Sequence, residues 1–189
     1  MSIPPEKRRI CAESALRCFG TAYIFERRAR SVRRRVRLIA FLGIAAPAAL
    51  GSTVALVGTK SQYAETAIWL AGIIGALQVA ASIWSLVSSW DSDLAYDIES
   101  KSENYRLSEE LEKLGKATTL TDDEFELEMQ LLETQAELRA QLDSRVDVND
   151  KEKRMGLRAA LRRFQRACVG CNIVPTSLKP TTCDICGNF

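Results

Sequence analysis

The sequence predicts an all-α protein: a two-helix transmembrane hairpin with cytoplasmic amphipathic helices on either side and a small cysteine-rich knuckle at the C-terminus. Three observations predict this class. The chain has two long runs without charge, helical spacing of apolar residues on both sides of them, and paired cysteines near its end. The expected organisation is a basic N-terminal helix (1–37), the hairpin (38–90), a helical region (91–167) and the tail (168–189).

The charge distribution agrees with these boundaries. Residues 1–37 carry 11 Lys/Arg and 3 Asp/Glu, a net charge of +8, whereas residues 91–150 carry 6 basic and 18 acidic residues, a net charge of −12. Between them, the segment 38–90 holds only Lys60 and Glu65 as charged residues. A chain of 189 residues is usually one domain or two small ones. The charge blocks therefore divide one chain into regions with different surroundings.

The hairpin prediction rests on run length. Residues 38–59 and 66–90 contain no charged residue, and about 20 residues of helix cross the hydrocarbon core of a bilayer. We place the two spans at 38–58 and 67–90, joined by a tight turn at 60–65. The alternative is a buried helical hairpin within a soluble bundle.

Seven arginines immediately precede the first predicted span, whereas the loop carries one lysine. The positive-inside bias therefore places both termini in the cytoplasm. The same side chains are candidates for contact with anionic lipid head groups, and nucleic-acid binding is disfavoured. The cluster comprises Arg27, Arg28, Arg30, Arg33, Arg34, Arg35 and Arg37.

The second predicted span carries a stripe of small and polar residues. The stripe comprises Gly75, Gln78, Ser82, Ser85 and Ser89. Small residues let helix backbones approach closely in lipid, and Ser or Gln can hydrogen-bond across the contact. Two interpretations stay open: helix packing, and a weakly polar pore lining formed after oligomerisation.

The N-terminal helix is predicted to begin at Pro4-Pro5, because proline suits the first helical turn. A heptad-like seam of small and apolar residues then follows: Cys11, Ala15, Cys18, Ala22, Phe25, Ala29, Val32 and Val36. Such a seam packs against another helix, either of the same chain or of a second copy. We interpret Cys11 and Cys18 as small buried hydrophobes.

The region 91–167 is predicted to contain three helices, the first broken near Gly115. Thr121 and Glu124 have the spacing of a capping box, which starts a second helix reaching about residue 146. Asp150 is the expected cap of a third, basic helix that reaches about residue 167. The carboxylates of this region are interpreted as a solvated face.

Two CxxC pairs separated by eleven residues form the strongest chemical motif: Cys168, Cys171, Cys183 and Cys186. Each CxxC turn presents two thiolates, and two turns complete a tetrahedral site with four protein ligands and no open position. The motif therefore predicts one structural Zn²⁺ per chain, with an iron centre or a redox disulfide pair as alternatives. Gly170 and Gly187 are expected to supply permissive backbone for the turns.

Two resemblances follow from these motifs. The basic helix, the hairpin and the motifs Trp90-Asp-Ser-Asp-Leu94 and Asn104-Tyr-Arg-Leu107 resemble the bacterial SLATT proteins over about residues 5–115. The cysteine spacing over the last 22 residues looks like a mobile-element protein family named for that spacing. The SLATT resemblance implies a membrane-perturbing effector of a bacterial conflict system, placed in the inner membrane as a multi-pass protein.

The expected function is therefore a homo-oligomeric, pore-forming or membrane-perturbing effector controlled by a cytoplasmic signalling partner. No enzymatic activity is expected, since the chain has no histidine and its carboxylates lack a catalytic constellation. The alternative is a membrane-tethered zinc-knuckle adaptor that recruits a protein or nucleic-acid partner.

Overall fold

The computed structural model describes residues 3–57 and 62–189, with the backbone alone for helical residues 46, 47, 49–51, 53–57, 62–65, 67, 68, 85 and 86. The regular elements in these ranges are helices, which confirms the all-α class. They are α1 (Pro5–Val57), α2 (Gln62–Val87), α3 (Trp90–Lys116), α4 (Asp122–Asp143) and α5 (Asp150–Arg163). Two compact units are present, one formed by the chain up to Arg27 together with Tyr96–Phe189, the other by Arg28–Ala95.

The core of the first unit forms where α1 packs against α3 and α4. Its buried members are Ile3, Cys11, Ala15, Cys18, Leu107, Leu111, Leu114, Phe125, Met129 and Leu132. The predicted seam of α1 is buried from Cys11 to Ala29, and its last two valines are half-buried. The seam was expected to pack either on the same chain or on a second copy. In the structure, Cys11, Ala15 and Cys18 pack against helices of the same chain.

Small side chains allow α1 and α3 to approach closely. The Ser108 hydroxyl donates to the carbonyl oxygen of Ala15 at 2.8 Å. At the end of α3, the Arg8 guanidinium donates to the carbonyl oxygens of Gly115 and Ala117, both at 2.7 Å. The last carbonyls of a helix have no partner inside it. Arg8 therefore caps α3 from a neighbouring helix.

The helix boundaries follow local capping. The Thr121 hydroxyl and the Glu124 carboxylate form the predicted capping box at the start of α4. The cap of α5 is Asn149, which forms its own capping box with Glu152, rather than the predicted Asp150. Helix α4 ends three residues, and α5 four residues, before the predicted positions. An Asn side-chain oxygen accepts an amide hydrogen as well as an Asp carboxylate does, so residue type alone does not place the cap at Asp150 rather than at Asn149.

A buried polar cluster joins α3 to α4, and the prediction of a solvated acidic face missed it. The Asp143 carboxylate accepts from Ser100 Oγ at 2.7 Å, Asn104 Nδ2 at 2.7 Å, Tyr96 OH at 2.8 Å and Arg139 Nε at 3.1 Å. Arg139 and Asp143 are 5% and 6% exposed. Ser100 and Asn104 are four residues apart and therefore share one face of α3, a polar pattern that the spacing of apolar residues does not reveal.

The predicted membrane spans require a correction. Residues 38–58 lie largely in the last part of α1, and residues 67–90 are divided between α2 and α3; residues 60 and 61 of the predicted turn lie outside the described ranges. Among the described residues, no helix has the length and apolarity needed to cross a bilayer. The transmembrane hairpin is thus unsupported, and the predicted multi-pass inner-membrane location is wrong. The prediction rested on runs without charge in the sequence, whereas the finding concerns the length and apolarity of the helices that the structure describes.

The second unit consists of the later part of α1, α2 and the first turns of α3. Inside it, the Gln78 amide lies against Gly43, with Nε2 2.6 Å from the place that a Cβ atom on this glycine would occupy. Many apolar side chains of this unit are exposed, among them Phe41, Ile44 and Trp69. Gln78 therefore contacts the later part of α1, and both interpretations of the stripe stay predictions.

Candidate metal centre

The four C-terminal cysteines lie together. Their Sγ atoms are all within 4.8 Å of one another, and the Sγ atoms of Cys171 and Cys186 are 3.9 Å apart. Four sulfurs that each lie 2.3 Å from one Zn²⁺ at tetrahedral angles are about 3.8 Å apart. All four thiols are free. The cluster therefore has the donor set and close to the spacing of a tetrahedral metal site.

The first pair is held by a tight backbone turn. The amide of Asn172 donates to the carbonyl oxygen of Cys168 at 2.8 Å, and the Cys168 amide donates to the Ile173 oxygen at 3.1 Å. The Gly170 amide reaches Cys168 Sγ at 3.4 Å. Asn172 has a left-handed backbone with φ of 55°, a conformation that Asn tolerates better than most residues. The turn thus directs both thiols of the pair to the same side.

The second pair has a similar turn. The amides of Gly187 and Asn188 donate to the carbonyl oxygen of Cys183 at 2.8 and 2.9 Å, and Thr181 donates to the Gly187 oxygen at 2.9 Å. A Cβ atom on Gly187 would collide with the Thr181 side chain and lie 2.9 Å from its carbonyl oxygen. Position 187 therefore requires glycine, because a larger side chain has no space there.

The predicted role of Gly170 also needs a correction. A Cβ atom at this position would lie 2.8 Å from Cδ1 of Ile185. The left-handed residue of the first turn is Asn172, two positions later. Gly170 therefore lets the two knuckles pack together, and the permissive backbone that the sequence assigned to it is supplied by an asparagine.

The thiols differ in environment. Cys168 and Cys186 are buried, and Cys171 and Cys183 are half-exposed. Burial raises the pKa of Cys186 to about 12, whereas the backbone amides of Cys186 and Ile185 lower the pKa of Cys183 to about 7. Metal binding requires all four as thiolates, so a bound cation would displace protons.

A cationic side chain, Arg158 of α5, lies at the cluster. Its Nε donates to the Ser177 carbonyl oxygen at 2.8 Å, and its Nη1 lies 3.4 Å from the carbonyl oxygen and 3.8 Å from Sγ of Cys186. The same Nη1 is 3.5 Å from Thr181 Oγ1. A divalent cation with four thiolates carries an excess of negative charge. The buried guanidinium would offset that charge, and it ties three parts of the tail to α5.

Sequence reasoning missed Arg158 because it belongs to a uniformly basic segment. A signal was present in the spacing. Arg158 shares the buried side of α5 with Met155, Ala159 and Leu161, and an arginine among apolar positions at helical spacing indicates a buried partner.

The cluster is part of the packing of the helices. Cys168 and Cys186 share a core with Leu161, and Leu16 of α1 and Leu157 of α5 pack against it. Arg154 Nη1 also donates to the Asn188 carbonyl oxygen at 2.9 Å. The tail therefore closes over the contact between α1 and α5.

The other predicted site residues do not join this cluster. Gln78 is half-buried on α2, the backbone of Gly75 has open space beside it, and Ser82 is exposed. Ser89 lies in the turn between α2 and α3 with φ of 53°, so it is not on the α2 face; of Ser85 only the backbone is described. The arginines at positions 27, 30, 33–35 and 37 are exposed, and Arg28 is half-buried.

The whole helical body, and not only the cysteine tail, carries the family relationship. Residues 8–189 match the family described as mobilome CxxCx(11)CxxC protein. The chain belongs to this family. No curated protein and no solved structure matches the chain. In this mobilome protein the resemblance to SLATT proteins stays a prediction, and the cysteine spacing that gives the family its description is the spacing of the four clustered thiols.

Proposed function

We propose that this mobilome protein binds one structural Zn²⁺ through Cys168, Cys171, Cys183 and Cys186. The main support for this proposal is the cluster of four thiols, which packs against α1 and α5. Four thiolates fill a tetrahedral zinc site and leave no position for substrate or water. The metal holds the tail on the helical body, and its binding energy adds to the stability of that packing.

The protein that results is a non-catalytic adaptor, a helical body stapled by zinc that recruits a protein partner encoded by its mobile element. The family description supports the mobile-element context, and the closed metal site supports a structural rather than a chemical role for the metal. The membrane-perturbing effector expected from the sequence required two membrane spans, which the described helices do not provide. The adaptor function needs no span.

Metal analysis of the purified full chain tests the site. Wild type should contain close to one equivalent of zinc, and the double variant Cys168→Ser/Cys183→Ser should contain none. The matched control is Cys18→Ala, which removes a thiol buried on α1 and should leave the zinc content unchanged. Iron in place of zinc, or zinc retained in the double variant, contradicts the assignment.

The adaptor role has a separate test. Crosslinking with mass spectrometry in cells that carry the mobile element should give specific crosslinks between wild type and another protein of that element. The Cys168→Ser/Cys183→Ser variant should lose them, because the stapled body would open. The same crosslinks from both proteins, or none from either, would refute recruitment that depends on the metal.

A further inference from the structure

Helix α4 is apolar on two separate faces. Its inner face, with Phe125, Met129 and Leu132, packs in the core of the first unit. A second row of leucines is exposed, by 70% at Leu127, 58% at Leu131, 57% at Leu138 and 39% at Leu142. At 100° per residue these four lie within an arc of about 60°, roughly 130° away from the inner face. We call this row the leucine stripe.

A helix that packs only on a protein core needs one apolar face. Four leucines on the outer side of an otherwise charged helix form a row of exposed apolar side chains, and clustered exposed apolar residues are typical of a binding surface. A cleft of about 510 Å³ runs beside the stripe, and Leu131 and Glu128 belong to its wall together with Glu110 of α3. The stripe and the cleft form one elongated surface of the first unit.

The charge around this surface is mostly negative, although Lys113 of α3 also lines the cleft. Helix α4 contains eight acidic residues and a single basic one, Arg139. Arg139 is buried on the inner side, where it pairs with Asp143 at 2.9 Å and with Glu99 at 2.7 Å. Glu128 and Glu137 flank the leucine stripe on opposite sides. A ligand of this surface therefore meets leucines with a carboxylate on each side.

The charge also argues against a second copy of the same helix on the stripe. Two α4 helices would bring their acidic flanks together, and like charges at close range repel. The complementary ligand is a helix with leucine-sized side chains on one face and Lys or Arg beside them.

We propose that the leucine stripe of α4 is the docking site for a basic amphipathic helix of the partner protein. This inference rests on the proposed adaptor function and names the chemistry of its partner. Leu127, Leu131 and Leu138 receive the apolar face of the incoming helix, and Glu128 and Glu137 pair with its basic side chains. The partner helix binds across the outer side of α4.

Peptide binding to the zinc-loaded full chain tests the proposal. The probe is a synthetic helix of about 20 residues with leucines at 4-3 spacing and lysines elsewhere, and its binding is followed by fluorescence anisotropy at low and high salt. Leu131→Gln/Leu138→Gln should weaken binding about tenfold or more, equivalent to about 1.4 kcal/mol per factor of ten. Glu128→Gln/Glu137→Gln should weaken binding at low salt and flatten its salt dependence.

Matched controls lie on α3. Ile98→Gln and Glu109→Gln make the same chemical changes at exposed positions and should bind as wild type does. The proposal fails if the stripe variant binds the probe like wild type, if a peptide with glutamates in place of lysines binds equally well, or if sedimentation shows a wild-type dimer that the stripe variant loses.

The failure of this proposal is distinguishable from failure of the adaptor function. The stripe variants retain all four thiols, so their zinc content should equal that of wild type, which shows that the metal site is intact. If metal-dependent crosslinks to a partner persist while the peptide does not bind, only the docking site is wrong. If the stripe variant keeps its full zinc content but loses those crosslinks, the result supports both the adaptor function and the docking site.

Discussion

A Cβ atom on Gly156 of α5 would lie 2.6 Å from the carbonyl oxygen of Gly20 of α1. The two helices thus meet backbone to backbone. Ile24 closes the same contact, because its Cγ1 would be 2.8 Å from that Cβ atom. The residues that pack against the thiol cluster, Leu16 and Leu157, come directly from these two helices, so the glycine contact sets the platform on which the cysteine tail rests.

Gly156→Ala should therefore destabilise the protein although alanine favours helix formation. Overpacking a close contact costs about 1–3 kcal/mol, which exceeds the gain of up to about 1 kcal/mol from helix propensity. The control is Gly72→Ala on α2, where nothing lies within 4 Å of the added Cβ atom and stability should rise slightly. Urea denaturation of both variants measures the difference, and equal effects would contradict the close crossing.

Arg158→Lys should weaken zinc binding while leaving the fold intact. Lysine keeps the positive charge but cannot make the fork of contacts to Ser177 and Cys186. Loss of such an outer partner typically costs about 10–100-fold in metal affinity. Competition with a chromogenic chelator measures the affinity, with exposed Arg162→Lys as the control. Unchanged affinity would reduce Arg158 to a packing residue.

Asp143→Ala should be among the most destabilising single changes in the first unit. It leaves the buried Arg139 guanidinium without its buried carboxylate partner and with only the exposed Glu99 beside it. Breaking a buried pair from one side costs about 3–5 kcal/mol. The double variant Asp143→Ala/Arg139→Met should recover part of the loss, because the remaining buried charge is removed as well. Chemical denaturation of the wild type, both single variants and the double variant gives the coupling free energy between Asp143 and Arg139. Additive effects would show that the two residues are independent.

The stability of the protein should fall at high pH through Tyr96. Burial, together with its hydrogen bond to Asp143, raises the pKa of Tyr96 to about 12, above the ordinary value of about 10. The native state therefore holds this proton more tightly than the unfolded chain. The stabilising contribution is complete below pH of about 10 and is lost as the pH rises to about 12. Between these pH values, the free energy of unfolding should fall more steeply with pH for wild type than for Tyr96→Phe. Parallel profiles of the two proteins would exclude Tyr96 as the cause.

The sequence by itself determined the local features. The box formed by Thr121 and Glu124 fixes the start of α4, because its hydrogen bonds join residues three positions apart. The spacing of the cysteines likewise indicated the thiol cluster before any fold was known, since two short CxxC turns can converge on one ion. The seam of α1 was readable for the same reason, because helical period alone places Cys11, Ala15 and Cys18 on one side.

Only the tertiary structure decided which residues lie opposite one another. The Asp143 cluster joins side chains up to 47 positions apart, and the contact of Arg158 with Cys186 spans 28 positions; neither follows from periodicity. The bilayer prediction rested on runs without charge, whereas no described helix has the length and apolarity needed to cross a bilayer. The outer face of α4 also became informative only after its inner face was seen in the core, because a sequence shows that a helix has two apolar rows but not which one the fold leaves exposed.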